Sequence, residues 1–162
     1  TNCYFLKNKT TGEMIVIDPA DFPEKIYEKV IQMGGKPAAI LLTHGHFDHI
    51  MAAQAVKEKY NIPLILITLG PNGSRAYYKD MRVEVAPFLQ EKTIETTGAG
   101  DTFCASSLNY VLEHGLDNLT EENLTELLTF ANAAASLITT KKGALKVMPE
   151  KEEVLAFIAS RS

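Results

Sequence analysis

The sequence predicts an α/β fold, a single-domain layered sandwich with a largely parallel sheet, an antiparallel hairpin and helices on both faces. Short apolar segments with the composition of buried strands alternate with segments whose apolar residues recur at helical spacing, and this order requires right-handed crossovers between parallel strands. Further along, two short segments flank a Lys-Asp turn, which is typical of a hairpin. No linker interrupts the pattern, so residues 1–162 are predicted to form one domain.

The strands are predicted from short apolar runs bounded by turn residues. They span Cys3–Lys7, Met14–Asp18, Ala38–Thr43, Pro63–Thr68, Arg75–Lys79 and Arg82–Ala86. The helices are predicted from apolar residues three and four apart, with acidic residues in several first turns. They span Phe22–Met33, Asp48–Tyr60, Ala99–Glu113, Glu121–Thr139 and Glu150–Ser160.

Charge and composition argue against two kinds of partner. The formal net charge of -4 provides no basic surface for a polynucleotide, so nucleic-acid binding is not expected. No apolar run approaches the ~20 residues that a membrane span requires, so no membrane partner is expected. Cys3 and Cys104 are the only cysteines and have no paired spacing. The two cysteines and an amino terminus that lacks a signal pattern indicate a reduced, cytoplasmic-type protein. Recombinant expression is also expected.

Three of the four histidines lie within six residues, in a loop that follows a predicted strand. His44 and His46 project to the same side of an extended chain, whereas Asp48 and His49 enter the next helix. Imidazole nitrogen and carboxylate oxygen are ligands for zinc, iron or manganese. The alternative is a loop of surface polar residues. The clustering favours one divalent metal, with zinc first.

Three other short motifs accompany the histidine loop, and they are Asn2-Cys3-Tyr4, Val16-Ile17-Asp18-Pro19 and Leu41-Leu42-Thr43. With them, the segment 1–64 resembles the metallo-β-lactamase superfamily. The resemblance implies that the first two loop histidines bind one metal, that the aspartate and third histidine bind a second, and that the metals activate a hydroxide. Downstream only His114 follows, so a complete dinuclear site is not expected.

A second candidate site is a run of small residues that opens a predicted helix. Gly98, Ala99 and Gly100 would let backbone N–H groups approach an anion at the helix N-terminus. Asp101 follows at once and could deprotonate an alcohol that attacks a phosphoryl group. The alternative is a flexible turn in which Asp101 only caps the helix.

Four further motifs occur in chain order in the segment 65–162, and they are Thr68–Ser74, Glu95–Phe103, Ala131–Ala135 and Lys142–Ala144. Together they resemble the carboxyl-terminal part of the ribokinase-like (PfkB-type) carbohydrate kinases. The resemblance implies that Asp101 is the catalytic base and that the three small residues before it form the anion hole. The residues that it implies for ATP or ADP are Thr68, Gly70 and Gly73 beside the phosphates, and Asn132 and Gly143 near the adenine. Glu95 stands where the family usually has Asp, near a monovalent-cation site, so potassium activation is not expected.

The two resemblances meet at Asn61–Leu66 without a linker, and each lacks a large part of its family's usual length. We therefore interpret the chain as an engineered chimera, with 1–64 joined to 65–162, that serves as a scaffold without efficient catalysis. One alternative is a weak ATP- or ADP-binding module or remnant carbohydrate kinase. The other is a remnant metal-binding hydrolase. A shortened core would also leave apolar patches that favour self-association.

Overall fold

The computed structural model describes residues 1–161, except for the side chain of Leu145. Six strands in this part of the chain form one mixed sheet in the order β1-β2-β3-β4-β5-β6. They are β1 (Tyr4–Lys7), β2 (Glu13–Ile17), β3 (Lys36–Leu42), β4 (Leu64–Thr68), β5 (Ser74–Tyr78) and β6 (Met81–Val85). The helices are α1 (Pro23–Met33), α2 (Phe47–Ile50), α3 (Ala53–Tyr60), α4 (Ala99–His114), α5 (Glu121–Ile138) and α6 (Lys151–Ala159).

The centre of the sheet is parallel, which confirms the predicted α/β fold class. Strand β3 pairs in parallel with both β2 and β4, whereas β1 pairs antiparallel with β2. Val16, Ile40 and Ile65 occupy matching register positions on the three parallel strands, and all three are buried. Helices α1 and α3 connect these parallel strands, and the right-handedness of the two crossovers stays a prediction.

The chain divides into two compact units. One comprises residues 1–67 with 76–81, and the other comprises residues 68–75 with 82 onward. The single-domain organisation therefore stays a prediction.

In the first unit, an amphipathic helix covers the sheet. Helix α1 buries Ile26 and Val30 in a cluster that includes Met14 and Val56, and it ends at Gly34, which adopts a left-handed conformation. Burying each of these side chains stabilises the folded state by about 1.5–3 kcal/mol. The helical period of the apolar residues is therefore sufficient to explain where α1 packs.

The prediction of one continuous helix over Asp48–Tyr60 is wrong, because the structure has two shorter helices there, α2 and α3. The break lies at Ala52, whose backbone N–H donates to the carbonyl of Pro19 at 3.0 Å. That N–H would otherwise donate to residue 48 within a continuous helix. A tertiary backbone contact has thus replaced a helical one, and the sequence period could not reveal it.

In the second unit, three helices pack together at buried small and aromatic side chains. Helix α5 begins with a capping box, in which Thr120 and Asn123 satisfy each other's backbone N–H groups. Farther along α5, Ala133 and Ala134 lie against Val154 of α6. None of the helices in residues 1–161 is long and apolar enough to cross a membrane.

Candidate active site

The glycine loop lies at the start of the 16-residue helix α4. Gly98 is the residue before the helix and has φ +83°, a conformation that glycine adopts without a steric penalty. Its carbonyl accepts the first helical hydrogen bond, from the N–H of Thr102 at 2.8 Å. The N–H groups of a first helical turn have no partner within the helix, and they carry the positive end of its dipole. Of these groups, the N–H of Ala99 donates to the carbonyl of Thr96 at 3.2 Å, outside the helix. The side chain of Asp101 is exposed beside the loop, and the role of the loop as an anion hole stays a prediction.

A second segment of the same unit packs against this loop. A Cβ atom placed on Gly98 would lie 3.2 Å from the Cβ of Ala144 and 3.4 Å from the Cδ1 of Ile138. The neighbouring N–H of Gly143 donates to Oε2 of Glu95 at 3.3 Å. The structure thus brings together the glycine loop, Gly143 and Glu95, three features that the sequence pattern had singled out separately.

The turn that follows β4 is also shaped by glycines. Gly70 and Gly73 have φ values of +56° and +88°, and the N–H of Leu69 donates to the carbonyl of Gly73 at 2.8 Å. A Cβ atom on Gly73 would lie only 2.0 Å from the carbonyl oxygen of Val85. Gly73 therefore permits a close approach between two backbone segments, and its place beside a phosphate stays a prediction. Thr68 is the last residue of β4 and is half-buried at the start of this turn.

Asn132 has partners that the sequence did not predict. Its side chain is buried, and its amide nitrogen donates to the carbonyls of Val85 at 3.2 Å and Ala86 at 3.1 Å. These bonds hold the end of β6 against α5. The role of Asn132 near an adenine stays a prediction, and only its side-chain oxygen is left for that role.

The histidine loop, in the other unit, is organised by a buried carboxylate. Asp18 accepts hydrogen bonds from the N–H of Thr43 at 2.8 Å and from its hydroxyl at 2.6 Å. Oδ2 of Asp18 also lies 2.8 Å from Nδ1 of His49. The other ring nitrogen of His49, Nε2, lies 3.6 Å from Oδ2 of Asp48.

The remaining loop residues are close together but differ in environment. The ring of His44 lies with its centroid 3.7 Å from that of His49 and 4.7 Å from that of His46. Burial, followed by the charges of the neighbouring imidazoles, lowers the pKa of His44. The hydroxyl of Thr1 donates to the exposed carboxylate of Asp48 and lowers its pKa.

Within residues 1–161, no group of three or more His, Cys, Asp or Glu side chains is arranged to hold a metal ion. The predicted zinc site at His44, His46, Asp48 and His49 thus receives no support from this arrangement, and it stays a prediction.

If the loop binds zinc, we expect one equivalent of Zn²⁺ to raise the Tm, and the combined change His44→Ala and His46→Ala to abolish the rise. Thermal unfolding with Zn²⁺ and then with a chelator measures both, and an unchanged Tm would exclude tight binding.

Asp18 is not among the site residues predicted from the sequence. Its signal was present, because a carboxylate between an apolar strand and Pro19 is an unusual residue to bury. Asp18 also adopts φ +49°, which Asp tolerates better than most residues. Only the three-dimensional contacts reveal that it serves Thr43 and His49.

Replacing Asp18 should destabilise the fold. We expect Asp18→Ala to lower the free energy of unfolding by about 2–4 kcal/mol, since it removes the buried carboxylate that accepts from the N–H and hydroxyl of the half-buried Thr43. Asp117→Ala is the matched control, because that side chain is exposed, and it should change the free energy by less than about 0.5 kcal/mol. Urea unfolding measures both. Equal midpoints for the two variants would show that the Asp18 network contributes nothing.

Comparison with solved structures places the fold among the ribokinase-like proteins. The Arabidopsis thaliana ribokinase complexed with ribose and ATP superposes with a TM-score of 0.61 and 23% identity, covering 91% of this chain and 55% of that chain. The pfkB family carbohydrate kinase model matches residues 23–151. The chain therefore belongs to the pfkB family of carbohydrate kinases.

Curated relatives agree with this assignment. A probable fructokinase-2 of Arabidopsis thaliana is 30% identical over 163 residues, which cover 93% of this chain and 49% of the relative. Fructokinase-1 of Oryza sativa subsp. japonica is 36% identical over 165 residues, which cover 94% of this chain and 51% of the relative. The chain thus spans about half the length of these relatives.

These comparisons overturn the interpretation of the chain as an engineered chimera without efficient catalysis. The family match starts at residue 23 and continues across residue 64, where the proposed junction lay. No comparison shows a metallo-β-lactamase segment, so that part of the resemblance lacks support. The physical reason is that buried parallel strands joined by helices are common to many α/β folds, whereas the histidine motif is one short loop. A loop motif alone could not assign the fold around it.

Proposed function

We propose that this chain forms the part of an ATP-dependent carbohydrate kinase that carries the anion hole and the catalytic base. The observation that carries the proposal is the run Gly98–Asp101 at the start of α4, within the residues that match the family. Because the two curated relatives are named fructokinases, fructose is the first substrate to test.

In the proposed reaction, Asp101 accepts the proton of the sugar hydroxyl as its oxygen attacks the γ-phosphorus of ATP. The bond from the γ-phosphorus to the bridging oxygen breaks, and ADP leaves with the electron pair. Negative charge on the transferring group would face the small residues Gly98, Ala99 and Gly100, and the dipole of α4 favours it. The N–H of Ala99 donates to the carbonyl of Thr96 at 3.2 Å, so the N–H groups of Gly98 and Gly100 would be the donors to the phosphate. The side chain of Asp101 is exposed, so a sugar could reach it.

The same proposal assigns the nucleotide to the glycine turns of this unit. Thr68, Gly70 and Gly73 would lie beside the phosphates, and Gly143 beside the adenine. The amide nitrogen of Asn132 already donates to two backbone carbonyls, so its oxygen would accept from the adenine amino group. The absence of side chains at the glycines supports a close approach of the backbone to phosphate.

Nucleotide binding tests this assignment. We expect Gly100→Val to weaken the binding of Mg-ATP at least about tenfold, because a branched side chain would block the approach to the first-turn N–H groups. Gly45→Val is the matched control, since Gly45 is exposed with no atom near its added Cβ, and it should bind ATP as the parent does. Isothermal titration calorimetry measures both. Equal affinity for all three proteins would refute the assignment.

A further inference from the structure

A cavity of about 640 Å³ lies at the opposite end of α4 from the glycine loop. It is lined by one face of α4, the first turns of α5, and α6. Tyr110, at the cavity, is nine residues from Asp101 along α4, a distance of about 13 Å along the helix axis. The volume lies within the range of roughly 300–1,000 Å³ that small-molecule sites occupy. The cavity is therefore distinct from the proposed nucleotide site and large enough for a ligand.

One wall of the cavity is a flat aromatic surface held in place by its own contacts. The rings of Tyr110 and His114 stack with centroids 4.0 Å apart and planes 13° from parallel. The Tyr110 hydroxyl donates to Oε2 of Glu126 at 3.0 Å, and Nδ1 of His114 lies 3.0 Å from the carbonyl oxygen of Tyr110. Burial, together with the Glu126 carboxylate, raises the pKa of Tyr110 to about 12, so the phenol keeps its proton. This wall is preorganised.

The charges around the cavity are unbalanced. Its lining includes the four carboxylates of Glu113, Glu121, Glu122 and Glu126 and a single lysine, Lys151. Lys151 already pairs with Glu113 at 3.4 Å. In the described part of the chain, no basic side chain forms an ion pair with the other three glutamates. The lining therefore carries a net negative charge.

The rest of the lining is largely apolar and includes Phe130, Leu155 and Ile158. We propose that this cavity binds a small organic cation with a flat, apolar body. The ammonium group lies at the glutamates of α5, and the ring lies between these apolar side chains and the Tyr110–His114 stack. Aromatic faces attract cations, which adds to the carboxylate contribution. A neutral ligand would satisfy the apolar side chains but leave the carboxylates unpaired, and an anion would be repelled by them.

Three probes that share one phenyl ring and differ in charge test the proposal on the 162-residue chain. We expect 3-phenylpropylamine to bind saturably, 3-phenylpropan-1-ol to bind about fivefold more weakly, and 4-phenylbutyrate not to bind. One partly exposed charge pair changes a binding affinity by about this factor of five. Isothermal titration calorimetry gives the affinities, and amide chemical shifts of Tyr110, Thr129 and Leu155 locate the probe.

The combined change Glu122→Gln and Glu126→Gln should weaken amine binding about fivefold, to the level of the alcohol, and leave alcohol binding unchanged, because glutamine keeps the shape and still accepts from Tyr110. Glu91→Gln is the matched control, an exposed glutamate outside the cavity lining, and should bind the amine normally. Equal affinities for amine and alcohol, or an unaffected double variant, would overturn the proposal. So would a dimer in sedimentation that Leu155→Arg dissociates, because a second copy would then occupy the cavity.

Discussion

Asp101→Asn should slow phosphoryl transfer from ATP to fructose by about 10²–10⁴-fold, the range that a positioned general base contributes. The amide has nearly the shape of the carboxylate but cannot take the hydroxyl proton. The side chain is exposed in the first turn of α4, so the fold should tolerate the change. Loss of a negative charge near the helix N-terminus should cost only about 0.3–1 kcal/mol of stability.

A coupled assay of ADP release measures the rate for the parent and the variant. Asp117→Asn is the matched control, because it removes the same charge from an exposed residue just before α5 and should leave the rate unchanged. If Asp101→Asn retained more than about a third of the parent's rate, Asp101 would not be the base.

Gly73→Ala should be the most destabilising single change at the glycine turns. The added Cβ would lie 2.0 Å from the carbonyl oxygen of Val85, and this neighbour is backbone that cannot rotate away. The φ of +88° adds strain for any residue with a side chain. Together, overpacking and backbone strain should lower the free energy of unfolding by about 3–5 kcal/mol.

Gly12→Ala separates the two causes of this effect. Gly12 has a similar φ of +77° but has no atom within 4 Å of its added Cβ, so only the backbone strain applies. We expect Gly12→Ala to cost about 1 kcal/mol in chemical denaturation. Comparable midpoints for Gly73→Ala and Gly12→Ala would mean that the turn after β4 moves to accommodate a side chain.

The secondary structure was largely predictable because its signals are local. Alternating apolar strands and helical periods predicted every strand and nearly every helix to within two residues, as in α1 and β4. The break between α2 and α3 was not predictable, since it depends on a hydrogen bond from Ala52 to Pro19, which is remote in sequence. Periodicity reports which face of a helix is buried, and it carries no information about tertiary backbone contacts.

The candidate site was predictable only in part, for a similar reason. The run Gly98–Asp101 combines small residues, a helix start and a carboxylate, so its chemistry is visible in the sequence. The partners of Asn132 and Asp18 are residues 46 and 25 positions away, respectively, and only the fold brings them together. The histidine loop has an equally visible chemistry, but a motif of six residues carries no information about the fold of the 64-residue segment around it.

In the proposed function, the first turn of α4 receives the phosphates of ATP. The most direct measurement is the change in backbone amide chemical shifts on adding a non-hydrolysable ATP analogue with Mg²⁺. We predict saturable shifts at Gly98, Ala99, Gly100 and Asp101, with smaller ones at Gly70 and Gly73. Saturable binding that leaves the amides of 98–101 unmoved, or that shifts only residues 43–49 of the histidine loop, would contradict the account.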